Sequence, residues 1–411
     1  MQSRFQRTLK FIHDNKFNPK LLRNFDWITL ALVLALALFG VVCIFSATAV
    51  PMETQPASIL ELLSIQPVTY AQLQLMWILV GLVAMAFMVY VDYEYFSKYA
   101  NTIYWFNIAL LVLVLGMERG RGNMAGWFRW GADAARTMQP SEFGKLAIIV
   151  ALAKLFSERN KPVTRVSELL PLLAYIGLPL LLIVAQPDVG TALVYIVVFG
   201  IMLFSSGASY KLIIGILCIA VLMMVPLYYY MTTAENSFRI ERLMVFLDPE
   251  FEPNGAGMQT TNARIAVGSA GLWGKGLFSD GSFASLNYIP DDYTDFIFAI
   301  VCESFGFVGA GLLVLGFLLL ILRLIRLSSK AADSFGTYTI IGVMGMLLFH
   351  IVENICMVIG LLPVTGIPLP FISYGGSNLL TNMMGIGLVL NISMRSRARK
   401  RQPPMRQAAR L

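Results

Sequence analysis

Repeated apolar runs, each long enough to cross a bilayer as a helix, constrain this chain more than any other feature. In lipid a backbone has no water to bond, so its polar groups must be satisfied within the protein. Composition agrees. The chain is 57% hydrophobic and only 13% charged, with a mean hydropathy of +0.70, whereas soluble domains carry about 25% charged residues. The expectation is an all-α polytopic membrane protein with about ten transmembrane helices. The ten spans fall at 27–49, 74–91, 100–117, 142–157, 169–185, 189–205, 211–230, 294–325, 337–361 and 372–394. A large extracytoplasmic loop, 231–293, separates spans seven and eight. Residues 1–26 and 395–411 form tails on either side of this membrane domain, 27–394.

Charge sets the orientation. Twenty-two of the 31 Lys and Arg residues lie in the tails and on one side of the spans. By the positive-inside tendency both termini are cytoplasmic, in the inner (plasma) membrane. The net charge of +7 therefore reflects topology and contact with anionic membrane lipids, not nucleic acid. The segment before Asp26 has no short apolar region ending in a cleavage site, so it reads as a cytoplasmic tail. All four cysteines sit in apolar segments, with no disulfide framework or metal-ligand spacing.

The outer basic residues are the informative ones. They cluster in 118–141 (Arg119, Arg121, Arg129, Arg136) and in 231–293 (Arg239, Arg242, Arg264, Lys275). Basic residues are disfavoured on that side, so binding an anion near the outer leaflet is a reason to keep them; the alternative is neutralisation by nearby acids. Glycine-rich NARIAVGSAGLWGKG can bring backbone amides and Lys275 to such an anion. It lacks the GxxxxGK[ST] pattern of a nucleotide loop.

Several polar residues enter the spans. Glu142 and Lys145 share one helix face, either as the floor of a polar cavity or as an internal ion pair. Asp188 is placed to cap the helix that follows it. Asp295 falls in the first turn of the eighth span, where helix amides favour an anion. Glu303, two turns deeper, requires a basic partner, with 118–145 the expected source. His350, Glu353 and Asn354 form one polar face, read as internally hydrogen-bonded rather than metal-binding. The proline-broken turn before Ser373, Tyr374, Gly375, Gly376 and Ser377 is expected to line the outer cavity.

These stretches together resemble the SEDS family of bacterial shape, elongation, division and sporulation proteins, from roughly Asn24 to Arg395. The matching segments are WFRWG with QPSEFGKL, QPDVGTAL, RLMVFLDPE, IAVGSAGLWGKG, YTDFIFAIVCESFG and GIPLPFISYGGS. The resemblance implies a ten-span fold and peptidoglycan glycosyltransferase activity on lipid II. It places the family's essential carboxylate on Asp295, and its RW and QPSE–K positions on Arg129, Trp130, Glu142 and Lys145. Tyr293 stands where the family has histidine, and Pro290–Asp291 where it has Pro–Glu. The start and the proline turn look like the elongation branch. A class B penicillin-binding protein is the implied transpeptidase partner.

On this reading Asp295 is the general base for the attacking hydroxyl, with Glu303 beside it. Arg129, Arg242, Arg264 and Lys275 would hold the pyrophosphate, and Trp130, Glu142, Lys145, Glu303, Ser373 and Ser377 would complete the substrate site. A divalent cation, Mg2+ or Mn2+, could share that work. A lipid II flippase and a non-catalytic scaffold of the wall machinery are the rival readings.

Overall fold

The structure is a computed structural model. It describes residues 19–48, 69–117, 138–159, 161–186, 188–216, 218, 222, 244–248, 256–279, 281–286, 288–290 and 292–400. After a short 3-10 turn, Pro19–Asn24, come α1 (Trp27–Ala47), α2 (Thr69–Tyr90), the short α3 (Tyr93–Lys98) and α4 (Ala100–Met117). Then follow α5 (Pro140–Ser157), α6 (Val166–Ala185) and α7 (Val189–Ser205). The remaining elements are α8 (Ala256–Ser269), α9 (Ile297–Ser328), α10 (Ser334–Val358) and α11 (Gly376–Lys400).

Six of these, α1, α2, α4, α6, α9 and α10, are long and apolar enough to cross a membrane, and α7 is a shorter apolar helix. Nine of the ten expected spans coincide with a helix, to within a few residues at each end. The expected span 211–230 falls mostly outside the described residues, as do 118–137 and most of 231–255. The last helix starts at Gly376, not 372, because residues 363–375 form an extended turn. It also runs past Arg395 to Lys400, so the basic tail is helical where it begins.

Local signals set the helix starts. Pro140 occupies the first turn of α5, where its missing N–H costs nothing. Asp188 caps α7, accepting from the Thr191 N–H at 3.0 Å, as expected. Asp333 caps α10 through the Gly336 N–H at 2.7 Å. Each carboxylate satisfies an amide that the helix cannot.

Helix α10 is the axis of the bundle. Buried residues make up 61% of its most apolar window, against 28–39% for the other five long helices. Helices α5, α7, α9 and α11 pack on it, and α8 touches it. Neither α5 nor α11 is among the six. The first carries Glu142, Lys145 and Lys154; the second carries Asn378, Asn382 and Asn391. Both are almost wholly buried, so protein rather than lipid surrounds their polar groups.

Helix α9 is broken. Gly306 has φ +67° and ψ −166°, a conformation essentially reserved for glycine. The bonds lost at the break are made by the loop 271–276. Amides of Lys275 and Gly276 donate to the carbonyls of Glu303 (2.8 Å) and Ser304 (3.1 Å). Amides of Phe307 and Val308 donate to the carbonyls of Gly271 (3.0 Å) and Leu272 (3.1 Å). Gly274 and Gly306 face each other so closely that neither has room for a Cβ. The span therefore was expected to be continuous and is not. The loop amides expected to meet an anion are spent on α9.

Candidate active site

Asp295 lies in a turn, 292–296, and α9 begins only at Ile297. Phe296 occupies the cap position without a side-chain bond, so Asp295 is not a helix cap and is not within the first turn. The preceding Pro290 and the turn at 292–296 delay the helix by three residues relative to expectation. Phe296 through Ser304 are all buried, whereas Asp295 is half-buried, at the mouth of this buried segment.

Three other parts of the chain clamp the turn. Asn354 of α10 donates to the Asp295 carbonyl at 2.7 Å and to the Ile367 carbonyl at 2.8 Å. The Tyr374 amide donates to the Tyr293 carbonyl at 2.9 Å. Tyr70 of α2 packs on both rings, with centroids 4.6 Å from Tyr293 and 5.3 Å from Tyr374. Asp295 is also within electrostatic reach of Glu353, whose carboxylate accepts from the Thr365 hydroxyl. Glu353 is thus an acid near Asp295 that the sequence reading did not place there.

The polar face of α10 continues inward. His350 Nε2 lies 3.1 Å from Lys145 Nζ, which is 2.6 Å from Glu142 Oε1. An ammonium only donates, so Nε2 accepts and the imidazole proton sits on Nδ1. Asn378 of α11 donates to the second Glu142 oxygen at 3.1 Å, and Asn382 donates to Asn378 at 2.8 Å. The side chains of Lys145 and Glu142 are only 2% and 7% exposed. They form an internal ion pair holding α5, α10 and α11 together, shut off from solvent.

The two serines are structural braces. Ser377 Oγ accepts from the Gln139 amide at 3.2 Å, just before α5. Ser373 Oγ accepts from the Leu369 amide at 2.8 Å, closing the 369–373 turn. Phe371 in that turn has φ +67°. Gly40 of α1 lies against the backbone of Phe371 and Ile372, where a Cβ would collide. Non-helical backbone is tolerated at this depth because protein encloses it.

Among the described residues Glu303 pairs with Lys275; most of the expected source, 118–137, lies outside the described residues. Their charged atoms are 2.7 Å apart, and Glu303 also accepts from the Phe283 amide at 2.9 Å. Glu303 is 2% exposed and Lys275 29%. Arg264 of α8 lies at the end of α10, its Nη2 3.5 Å from the Gly360 carbonyl. Its guanidinium covers Gly360, φ +81°, where any side chain would clash. Arg129, Trp130 and Arg242 lie outside the described residues.

The structure therefore gathers Asp295, Glu353 and Asn354 at one end of a polar row that reaches Glu142 and Lys145. The Lys275–Glu303 pair sits at the rear end of the 297–305 segment, with Glu303 eight residues along the chain from Asp295. The Asp295–Glu353 neighbourhood has no sequence signal, since 58 residues separate the two. Among the described residues, no three His, Cys, Asp or Glu side chains form a metal-binding group.

The chain is similar to known proteins along nearly its whole length. Residues 26–398 match the family described as FtsW/RodA/SpoVE, cell cycle protein. Stage V sporulation protein E of Bacillus subtilis is 35% identical over 378 residues, covering 90% of this chain and 98% of that protein. A probable peptidoglycan glycosyltransferase FtsW of Trichlorobacter lovleyi is 33% identical over 377 residues, covering 91% and 94%. One chain from a solved peptidoglycan synthase complex, described as coordinating polymerization and crosslinking, superposes with a TM-score of 0.72. It is 27% identical, covering 90% of this chain and 98% of that one.

Proposed function

Because the chain belongs to the FtsW/RodA/SpoVE family of cell cycle proteins, we propose that it polymerises lipid II with Asp295 as the general base. It is a multi-pass membrane peptidoglycan glycosyltransferase. The observation that carries the assignment to Asp295 is its setting. It is a half-buried carboxylate at the mouth of the buried 296–304 segment, its own carbonyl held by Asn354 of α10 and that of Tyr293 by the Tyr374 amide.

The acceptor's GlcNAc 4-hydroxyl attacks C1 of the donor's MurNAc, and Asp295 takes the hydroxyl proton. The C1–oxygen bond to the lipid pyrophosphate breaks as the new bond forms. One displacement inverts the α-linked donor to a β-1,4 product. Negative charge grows on the departing pyrophosphate, where fixed cations help most. Arg264 is the described candidate; Arg129 and Arg242 are the others. Lys275 is a weaker one, since Glu303 already neutralises it. A clamped turn keeps Asp295 aligned with the hydroxyl, and alignment alone can supply several kcal/mol of rate.

Further features belong to the same reading. The chain has ten spans, a large outer loop between the seventh and eighth, and both termini in the cytoplasm. It serves cell elongation beside a class B penicillin-binding protein. Likeness to a chain of a synthase complex supports a transpeptidase partner of that type.

Purified wild type and Asp295→Asn, given lipid II and a cognate transpeptidase, test this. Long chains from wild type and none from the folded variant are expected. Normal polymerisation by the variant would remove the base assignment. Transbilayer movement of lipid II without chains from either would favour a flippase.

A further inference from the structure

We propose that Lys275 and Glu303 are positioning residues, which fasten the glycine-rich loop into the break in α9 and thereby fix Asp295; this rests on Asp295 being the base.

The segment from Ile297 to Phe305 is short and carries Asp295 just ahead of it. A helix this short leaves its last carbonyls without partners. Ordinarily the continuing helix would supply them, but Gly306 interrupts it. The Lys275 and Gly276 amides supply them instead, and the Phe307 and Val308 amides are answered from the loop side. The segment is thus held at its rear by the loop and at its front by Asn354 and Tyr374. Asp295 is itself part of the front attachment, through its carbonyl.

The charged pair guards the rear attachment. A carboxylate as buried as that of Glu303 is costly without a cation. Lys275 provides one at 2.7 Å, and its ammonium lies 5.3 Å from the Phe283 ring centre. The Phe283 amide binds the same carboxylate oxygen. Both charges therefore sit on residues whose backbones already form the ladder, Lys275 N–H to Glu303 O. A pair of zero net charge is a poor clamp for pyrophosphate. It is a good fastener, because leaving either charge alone in that place is unfavourable. Gly274 and Gly306 make the approach possible, since no larger residue fits at either position.

The test uses the full-length protein and lipid II, with Asp295→Asn as the inactive control. Lys275→Met and Glu303→Gln should each lower kcat about 10- to 100-fold, as expected of a misplacement on the order of 1 Å. KM for lipid II should stay within about two-fold, because uniform substrate binding is untouched. The exchanged pair, Lys275→Glu with Glu303→Lys, should recover most of kcat. A raised KM with kcat preserved in Lys275→Met would overturn the proposal and make Lys275 a substrate contact. Hydrogen exchange provides a readout independent of activity. In Lys275→Met the amides of Lys275's successor Gly276 and of Phe307 and Val308 should exchange faster, with α11 unchanged. Unchanged exchange at the ladder would also overturn the fastening. If Asp295→Asn polymerises normally, the base assignment fails, while the exchange result still decides the fastening.

Discussion

At the scale of single residues, the buried ion pair of α5 is the clearest case of chemistry set by surroundings. Glu142 and Lys145 are three apart, so one helix presents both. Alone, neither charge is tolerable at that depth. His350 and Asn378, from two other helices, complete the hydrogen bonding. Lys145→Met should therefore destabilise the fold by about 3–5 kcal/mol, since it strands a buried carboxylate. Adding Glu142→Gln should recover much of that loss, because no charge remains to be stranded. Thermal melting in detergent would check both, and a double variant less stable than Lys145→Met would contradict the account. The i, i+3 spacing was legible beforehand. The enclosure that makes the pair internal, rather than a cavity floor, was not, because it depends on α10 and α11.

At the scale of elements, the broken helix matters most. Sequence reading gives one continuous span from 294 to 325, since glycine is common in membrane helices and a lone glycine rarely signals a break. What distinguishes Gly306 is a second glycine, Gly274, arriving from 32 residues earlier. Gly306→Ala should lose at least about 1–3 kcal/mol from backbone strain alone. The clash with Leu272 and Gly274 should add to it and free the loop. Limited proteolysis around exposed Trp273 is the simplest measure, with faster cleavage expected in Gly306→Ala than in wild type. Gly274→Ala should act on the same junction, so the double variant should lose less than the sum of the single losses. Cleavage rates equal to wild type would show that the ladder does not restrain the loop.

Across the whole molecule, the end opposite the Asp295 turn is drawn together by a second set of charges. Asp26, 2% exposed, bonds Arg323 of α9 and the Thr29 hydroxyl, and Arg397 of α11 lies 3.3 Å away. Arg397 also reaches the Asn24 carbonyl at 3.0 Å. Arg395 pairs with Asp92 at 2.9 Å, and Tyr93 bonds Asp333. Burial works to raise the Asp26 pKa, but the bonds from Arg323 and Thr29 and the charges of Arg323 and Arg397 outweigh it. The carboxylate is held below its ordinary value. A lowered folded pKa means the stabilisation is fully present above the unfolded value, about 4. It is lost as pH falls through the folded one. Wild type should therefore lose melting temperature more steeply below about pH 4 than Asp26→Asn, which should already be less stable at pH 7. Parallel pH profiles for the two proteins would mean that the clasp contributes nothing.

Local chemistry was enough to read the membrane class, the helix spans that are described and the Asp188 cap. Each depends on residues close together along the chain: an apolar run, or a carboxylate before a helix. Long-range packing supplied the rest. It brought Glu353 near Asp295, paired Glu303 with Lys275, turned Ser373 and Ser377 into braces and spent the glycine-loop amides on a broken helix. In each case a buried polar group takes whichever partner the bundle brings within hydrogen-bond reach. That choice is made by helix packing between residues tens to hundreds of positions apart, which no local pattern encodes.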